Sequence, residues 1–97
     1  MSGGHDLRFA ARARADYKRI LAKSAKSWGV EQQVRLSDEF DRVFVKLLEN
    51  PGMGKSLEET SKGLRSFYVS HHLIYYRIRP GYIRIVRILH ERQFFRS

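Results

Sequence analysis

Residues 63–92, GLRSFYVSHHLIYYRIRPGYIRIVRILHER, decide the fold, because they include nearly all the strongly strand-forming residues of the chain. Three runs of β-branched and aromatic residues follow one another within this stretch, as is typical of strands. They are Phe67 to Val69, Leu73 to Arg79 and Tyr82 to Leu89. Because the runs are so closely spaced, the sequence predicts a meander of three antiparallel strands.

The last two runs are separated by Pro80-Gly81. Proline presets the backbone for the first corner of a turn, and glycine accepts the positive φ at the second, so the pair favours a type II turn. Type II geometry suits a two-residue hairpin poorly. We therefore expect a bulge or a slightly longer loop at this turn, and the register across it stays open by one residue.

Pairing Arg79 with Tyr82 would place alternate side chains on opposite faces of the sheet. One face, which needs a core, then carries Ile74, Tyr76, Ile78, Ile83 and Ile85. The other carries Leu73, Tyr75, Arg77, Arg79, Tyr82, Arg84, Val86 and Ile88. Arg77 and Arg84 lie opposite each other there, and such a like-charge pair is unfavourable unless it is solvated or meets an anion. This second face is therefore either an ordinary basic surface or a binding surface.

Two amphipathic helices are predicted before the meander. The first is strongly basic, carries Trp28 near its end and stops at Gly29, while the second runs from Glu31 to Glu49 and stops at Asn50-Pro51. The short connection predicts an antiparallel helical hairpin that covers one face of the sheet. The predicted core consists of Ile20, Trp28, Phe40, Phe44 and Leu47 with Ile74, Tyr76 and Ile85.

The remaining segments complete a single-domain prediction. Leu7 to Phe9 could add an edge strand, residues 50–63 form a loop with one helical turn at 57–60, and residues 1–6 are a disordered leader. The predicted fold class is α+β, in the order β-α-α-β-β-β, with the helical hairpin on one face of a small antiparallel sheet. The domain spans residues 7–97.

The composition narrows the classes of function. Lysine and arginine outnumber aspartate and glutamate by 19 to 10, and the net charge of +9 predicts attraction to nucleic acid, acidic proteins or anionic surfaces. The absence of cysteine excludes disulfides and zinc–thiolate sites. The four histidines lack acidic neighbours at metal-ligand spacing, so we expect neither a metal nor a cofactor. No signal-peptide pattern or apolar run long enough for a membrane is present, which predicts a cytoplasmic protein.

One group of residues could act on a phosphodiester. His90, Glu91 and Arg92 follow the last predicted strand, and we expect them near Arg65 at the start of the first strand of the meander. The two arginines could neutralise a phosphate while His90 or Glu91 moves a proton. Charged residues at the end of a strand are more often simply solvated.

The order of several motifs resembles the ParE branch of the ParE/RelE toxin superfamily. These motifs are ARARADYKRI, a helix ending in SWG, LLENPGMG, GLRSFYV, LIYYRI and VRILHER, and the similarity covers Leu7 to Arg92. The resemblance implies the toxin of a bacterial type II toxin–antitoxin pair, associated with plasmid maintenance and stress response. It implies a protein-binding toxin that inhibits DNA gyrase without catalysis, is neutralised by a ParD-like antitoxin and meets DNA only indirectly, through the antitoxin complex.

The RelE-like branch offers the alternative function, cleavage of mRNA in the ribosomal A site. Under it the catalytic residues would be Arg65, His90 and Arg92, although the C-terminal tyrosine of the best-known RelE-like members is absent from the tail Phe94-Phe95-Arg96-Ser97. In either case we expect the antitoxin or the target to contact Tyr75, Arg77, Arg79, Arg84 and Arg92.

Overall fold

The computed structural model describes residues 6–95, in which two long helices pack on a five-stranded sheet. The elements are β1 (Asp6–Phe9), α1 (Ala11–Trp28), α2 (Val30–Glu49), a 3₁₀ turn (Pro51–Met53), β2 (Lys55–Ser56), β3 (Leu64–Val69), β4 (His72–Arg79) and β5 (Tyr82–His90). This confirms the α+β class and the helical hairpin. Asp6, assigned to the leader from sequence, is the first residue of β1, and the rest of that leader lies outside the described residues.

The sheet is mixed, so the prediction of a purely antiparallel sheet was wrong. Its strand order is β1-β5-β4-β3-β2, and every neighbouring pair is antiparallel except β1 and β5, which are parallel. The direction of β1 is set by the way in which it leads into α1. It is not set by a hairpin turn, because two helices and three strands separate β1 from β5 along the chain. The two-residue strand β2 was also missed, because Lys55-Ser56 is too short to show alternation.

The two helices end where the sequence predicts. Gly29 terminates α1 with a φ of 93°, a conformation that glycine adopts without steric cost, and its N–H donates to the Ala25 carbonyl. The N–H of Asn50 donates to the Lys46 carbonyl, and Pro51 then prevents the second helix from continuing. The hairpin is consequently tight, with one residue between its helices.

The predicted β4–β5 register is correct for the first four pairs, from Arg79 with Tyr82 to Tyr76 with Ile85. Pro80-Gly81 forms a plain two-residue turn, in which Gly81 has a φ of 79°, so the expected irregularity there is absent. The bulge lies instead at Val86, after which Tyr75 faces Arg87 and Leu73 faces Leu89. This extra residue moves Ile88 to the core face of the sheet, where it is buried.

The main core lies between the hairpin and one face of the sheet. It contains the predicted Phe40, Phe44, Leu47, Ile74, Tyr76 and Ile85, with Ile20 partly buried against them. Trp28 was assigned wrongly, because it is the last residue of α1 and is 76% exposed. Ile78 is on the core side of the sheet but is 41% exposed near the β4–β5 turn.

A second, smaller cluster covers part of the opposite face of the sheet. Leu64, Tyr75 and Leu89 are buried there, and the 57–63 loop and the chain after β5 contribute Leu57 and Phe95. The predicted helical turn in this loop is present, since the N–H groups of residues 60 and 61 both donate to the residue 57 carbonyl. This second face of the sheet is therefore exposed to solvent only outside the cluster.

The NPGMG junction after α2 is fastened to the sheet by polar contacts. The Tyr76 hydroxyl accepts the Gly54 N–H at 2.9 Å and donates to the Pro51 carbonyl at 2.7 Å. The Arg65 guanidinium donates to the carbonyls of Gly52 at 3.3 Å and Gly54 at 2.8 Å. These contacts give the LLENPGMG motif a structural explanation.

Candidate functional site

An arginine-lined depression lies where β1 gives way to α1. Because β1 pairs with β5 only as far as Ile85, the later part of β5 has, within residues 6–95, no strand on the side away from β4. A cavity of about 470 Å³ opens between that edge and the start of α1. We call it the arginine cleft and define it by its larger side chains, which are Arg12, Arg77, Arg84, Val86, Arg87 and Phe95.

Two arginines of this cleft face each other, and no acidic side chain of residues 6–95 forms a salt bridge with either of them. Arg77 and Arg84 are directly opposite across β4 and β5, as the sequence predicts. Arg77 Nη2 donates to the Ser61 hydroxyl at 2.6 Å, but its Nη1 is buried and has no hydrogen-bond partner among the described residues. A buried donor left unpaired is costly, so a carboxylate or another anion in the cleft would satisfy the donor and the paired charges together.

The charge of Arg87 is already neutralised by Asp16 of α1. Arg87 Nε and Nη2 donate to the two carboxylate oxygens at 2.7 and 2.9 Å, and the Ile88 N–H donates to the same carboxylate at 3.0 Å. Burial would raise the pKa of Asp16, but these bonds, with help from Arg19, hold that pKa below its ordinary value. Asp16 therefore holds α1 against the edge of β5 next to the bulge at Val86.

Sequence reasoning missed Asp16 as a functional or structural residue. A signal was present, because Asp16 is the only acidic residue in α1 and falls between the buried Ala13 and the core-packed Tyr17 and Ile20 in the helical repeat. An acid at such a position needs a basic partner inside the protein.

The other predicted contact residues lie apart from one another. Tyr75 is buried beneath Phe95, with the two ring centroids 4.9 Å apart, so it cannot contact a partner directly while the tail is in place. Arg79 lies opposite Tyr82 at the turn, and the Tyr82 ring is already covered by the Arg8 guanidinium at 4.2 Å. Arg92 lies beyond the opposite end of β5. Of the five predicted residues, the structure brings only Arg77 and Arg84 together.

A larger groove, of about 650 Å³, separates the helical hairpin from the far end of the sheet. We call it the hairpin groove and define it by Arg19, Lys23, Trp28, His72, His90 and Arg92. No acidic side chain of residues 6–95 lines it. The His72 ring contacts both Phe40 and His90, and burial lowers the pKa of His72, so this histidine is a neutral part of the wall.

The turn beside this groove has an uncommon backbone. Ser70 and His71 both have positive φ, 48° and 66°, in the two-residue connection of β3 and β4. Residues other than glycine seldom adopt this conformation, although it suits the twist of a hairpin. His71 Nδ1 lies 2.9 Å from Glu91 Oε2 and 3.3 Å from the Tyr68 hydroxyl, which fixes the imidazole at the surface.

The predicted catalytic group is not assembled. Arg65 pairs with Tyr76, which faces Ile85, whereas His90 faces His72 five residues further along β5, a separation of about 15 Å along the sheet. β3 and β5 both run antiparallel to β4, so they run in the same direction and the start of β3 lies level with the start of β5. The expected proximity of Arg65 to His90 was therefore wrong. Arg65 is also engaged by the Gly52 and Gly54 carbonyls.

Among residues 6–95, no cluster of three or more histidine, cysteine, aspartate or glutamate side chains could hold a metal ion. No helix of the described chain is both long enough and apolar enough to cross a membrane.

The architecture is that of the small toxins with the ParE/RelE fold. A chain of the chromosomal ParDE system from P. aeruginosa superposes with a TM-score of 0.76 at 19% identity, covering 92% of this chain and 98% of that one. YafQ from E. coli gives a TM-score of 0.64 at 15% identity, covering 90% and 93%. These likenesses establish the fold.

The family follows from sequence similarity. Residues 7–95 match the family model described as the ParE toxin of the type II toxin–antitoxin system parDE. Toxin ParE1 of Caulobacter vibrioides is 33% identical over 84 residues, covering 87% of this chain and 86% of the relative. Toxin ParE1 of Mycobacterium tuberculosis is 30% identical over 81 residues, covering 82% and 83%. The chain belongs to the ParE toxin family, as its motif order indicates.

Proposed function

We propose that this toxin inhibits DNA gyrase in the cytoplasm and so arrests replication, without catalysing a reaction itself. Membership of the ParE family carries this proposal, together with the similarity to toxins named ParE1 over more than four fifths of the chain. The separation of Arg65 from His90 supports a binding role, because the phosphodiester-cleaving set expected from sequence does not form.

The alternative is a RelE-like, ribosome-dependent endoribonuclease. The observation that favours it is the side-chain pair at the end of β5, where Glu91 Oε2 holds His71 at 2.9 Å beside His90 and Arg92. A carboxylate that orients an imidazole is a common arrangement for proton transfer. In that case the proton-transfer groups would be His71 and Glu91, and Arg65 would have no part.

Brief induction of the toxin in bacteria separates these two functions. We expect thymidine incorporation to fall first while amino-acid incorporation continues, and purified toxin to block supercoiling by purified gyrase. Translation that stops first, with cleaved messages, would refute the gyrase proposal. The variant Glu91→Gln serves as a control, because it should leave gyrase inhibition unchanged and would weaken a ribonuclease that depends on the His71–Glu91 pair.

We further propose that a ParD-like antitoxin neutralises the toxin by placing acidic side chains in the arginine cleft. The family is defined by toxin–antitoxin systems, and another protein of this fold, YafQ, is known as a complex with DinJ. Arg77 and Arg84 support this location, since they form a like-charge pair and the buried Nη1 of Arg77 has no hydrogen-bond partner within residues 6–95. An antitoxin carboxylate would neutralise the paired charges and accept a hydrogen bond from this donor.

The double substitution Arg77→Glu and Arg84→Glu should slow association with the antitoxin. The defect should shrink at high salt, because attraction between exposed charges is screened over about 8–10 Å near physiological ionic strength. Stopped-flow association rates at low and high salt provide the measurement. The matched control is Arg42→Glu with Lys46→Glu, which makes the same change of charge on the exposed side of α2. Equal rates for the two double variants at low salt would show that the antitoxin binds elsewhere.

A further inference from the structure

The positive charge of the protein is concentrated on one helix. Six cations and a single acid give α1 a formal charge of +5, whereas three cations and five acids give α2 a charge of −2. All six cations of α1 are exposed, and its one acid, Asp16, is buried. The two helices of the hairpin therefore present opposite electrostatic surfaces.

Four of these cations form a line along the side of α1 that faces the edge of β5. At about 100° per residue, Arg12, Arg19, Lys23 and Lys26 fall within a narrow arc of the helix, over a length of about 21 Å. Asp16 lies close to this arc, but its single carboxylate is shared by Arg19 at 3.3 Å and Arg87 at 2.7 Å. Asp16, Arg19 and Arg87 together therefore carry one uncompensated positive charge.

The line of cations leads into the hairpin groove, where Arg19 and Lys23 are joined by Arg92 and by Trp28. Trp28 is the only tryptophan of the chain and is 76% exposed. An exposed indole is unfavourable because it places apolar surface in water, and it adds nothing to the core. Next to a series of cations, however, it offers a flat aromatic surface on which a nucleobase can stack, as in proteins that bind single strands.

We propose that the hairpin groove of the free toxin binds single-stranded nucleic acid, with phosphates on Arg19, Lys23 and Arg92 and a base stacked on Trp28. This contact with nucleic acid is direct and goes beyond the proposed function, in which the toxin meets DNA only through the antitoxin complex. An acidic polypeptide fits the groove less well, because carboxylates would satisfy the cations but leave the indole without a stacking partner. A duplex also fits poorly, since its bases are already stacked on one another.

The experiment is a titration of the toxin with a labelled oligothymidine of about 12 nucleotides, followed by anisotropy and by the fluorescence of Trp28. We expect the fluorescence to be quenched on binding. Trp28→Ala should weaken binding by about 5- to 150-fold, the range typical of one stacked base. The pair Arg19→Gln and Lys23→Gln should reduce the slope of log affinity against log salt by about 1.4, as expected for two lost phosphate contacts on a single strand.

The matched control removes two cations from α2, with Arg42→Gln and Lys46→Gln, and should leave both the affinity and the salt slope unchanged. RNA of uniform sequence should bind as well as DNA, because phosphates and base faces are common to both. Equal losses in the two double variants would overturn the proposal in favour of non-specific attraction by net charge. So would equally tight binding of the duplex, or binding without quenching.

Polyglutamate provides the remaining arm of the test. If it bound as tightly as the oligonucleotide and its binding was equally sensitive to Trp28→Ala, the groove would be a site for acidic polypeptides and the proposal would be wrong. The assay uses the toxin alone, so its outcome is independent of whether gyrase is the target. Melting curves of each variant establish that a loss of binding does not reflect unfolding.

Discussion

Asp16→Ala is expected to lower the free energy of unfolding by about 3–5 kcal/mol, because it leaves a partly buried guanidinium without its partner. The side chain of Asp16 is 2% exposed and that of Arg87 19% exposed, so water replaces the lost carboxylate poorly. The N–H of Ile88 also loses its acceptor at the bulge. A change of this size is a large fraction of the stability of a domain of 97 residues.

Urea unfolding at neutral pH measures this effect. Asp41→Ala, which removes an exposed acid from α2, should stay within about 0.5 kcal/mol of the wild type. Asp16→Asn should lie between the two, since its amide oxygen can still accept the Ile88 N–H. If Asp16→Ala unfolded at the same urea concentration as Asp41→Ala, the carboxylate would have no role in holding α1 to the sheet.

The Asp16 effect should also depend on pH. Because the folded protein lowers the pKa of this carboxyl below its unfolded value of about 4, the stabilisation is complete above that value. It is lost as the pH falls through the folded-state pKa, where the carboxyl is protonated in both states. The stability difference between wild type and Asp16→Ala should accordingly narrow in acid.

Gly54→Ala should be the second strongly destabilising change. A Cβ at this position would collide with the Tyr76 hydroxyl and lie 2.9 Å from the Ser66 carbonyl oxygen, which belongs to the β3 backbone and cannot rotate away. Overpacking of this kind typically costs about 1–3 kcal/mol, and an orphaned Gly54 N–H adds about 1–3 kcal/mol. The φ of Gly54 is −72°, so the collision and not backbone strain decides the outcome.

Gly52→Ala is the matched control in the same turn, because a Cβ there meets nothing within 4 Å. It should be neutral or stabilise the protein by about 0.4–1 kcal/mol, through the smaller conformational freedom of the unfolded chain. Thermal unfolding of the two variants side by side is sufficient. Similar melting temperatures would contradict the proposed fit of Gly54 against Tyr76.

The elements that sequence predicts well are those fixed by local chemistry. Gly29 and Asn50-Pro51 end the helices, and the alternation in β4 and β5 identifies the core face up to Ile85. These signals act over a few residues and do not depend on the remainder of the fold. The pairing of Arg77 with Arg84 was predictable for the same reason, since it lies only three pairs from the turn.

The features that sequence misses depend on contacts between distant segments. The bulge at Val86 lies where β1 ends and α1 takes its place, and the stabilising Asp16–Ile88 contact joins residues 72 positions apart. Trp28 satisfies the helical repeat of a core residue, but the repeat does not show that the hairpin groove separates the last turn of α1 from the sheet. Arg65 and His90 lie apart because β3 and β5 run in the same direction, and this direction depends on two successive antiparallel pairings with β4.

The parallel pairing of β1 with β5 has a consequence for the timing of folding. Asp6 pairs with Tyr82 and Phe9 with Ile85, so β1 leaves the ribosome more than 70 residues before the strand with which it pairs. Contacts of such long sequence separation form late and slow the folding of small domains. During translation the helical hairpin can form early, but β1 must wait for β5. The arginine cleft and the hairpin groove both include residues of β5, so neither exists on a nascent chain that lacks this strand. The toxin consequently cannot engage a partner through them until β5 has been made.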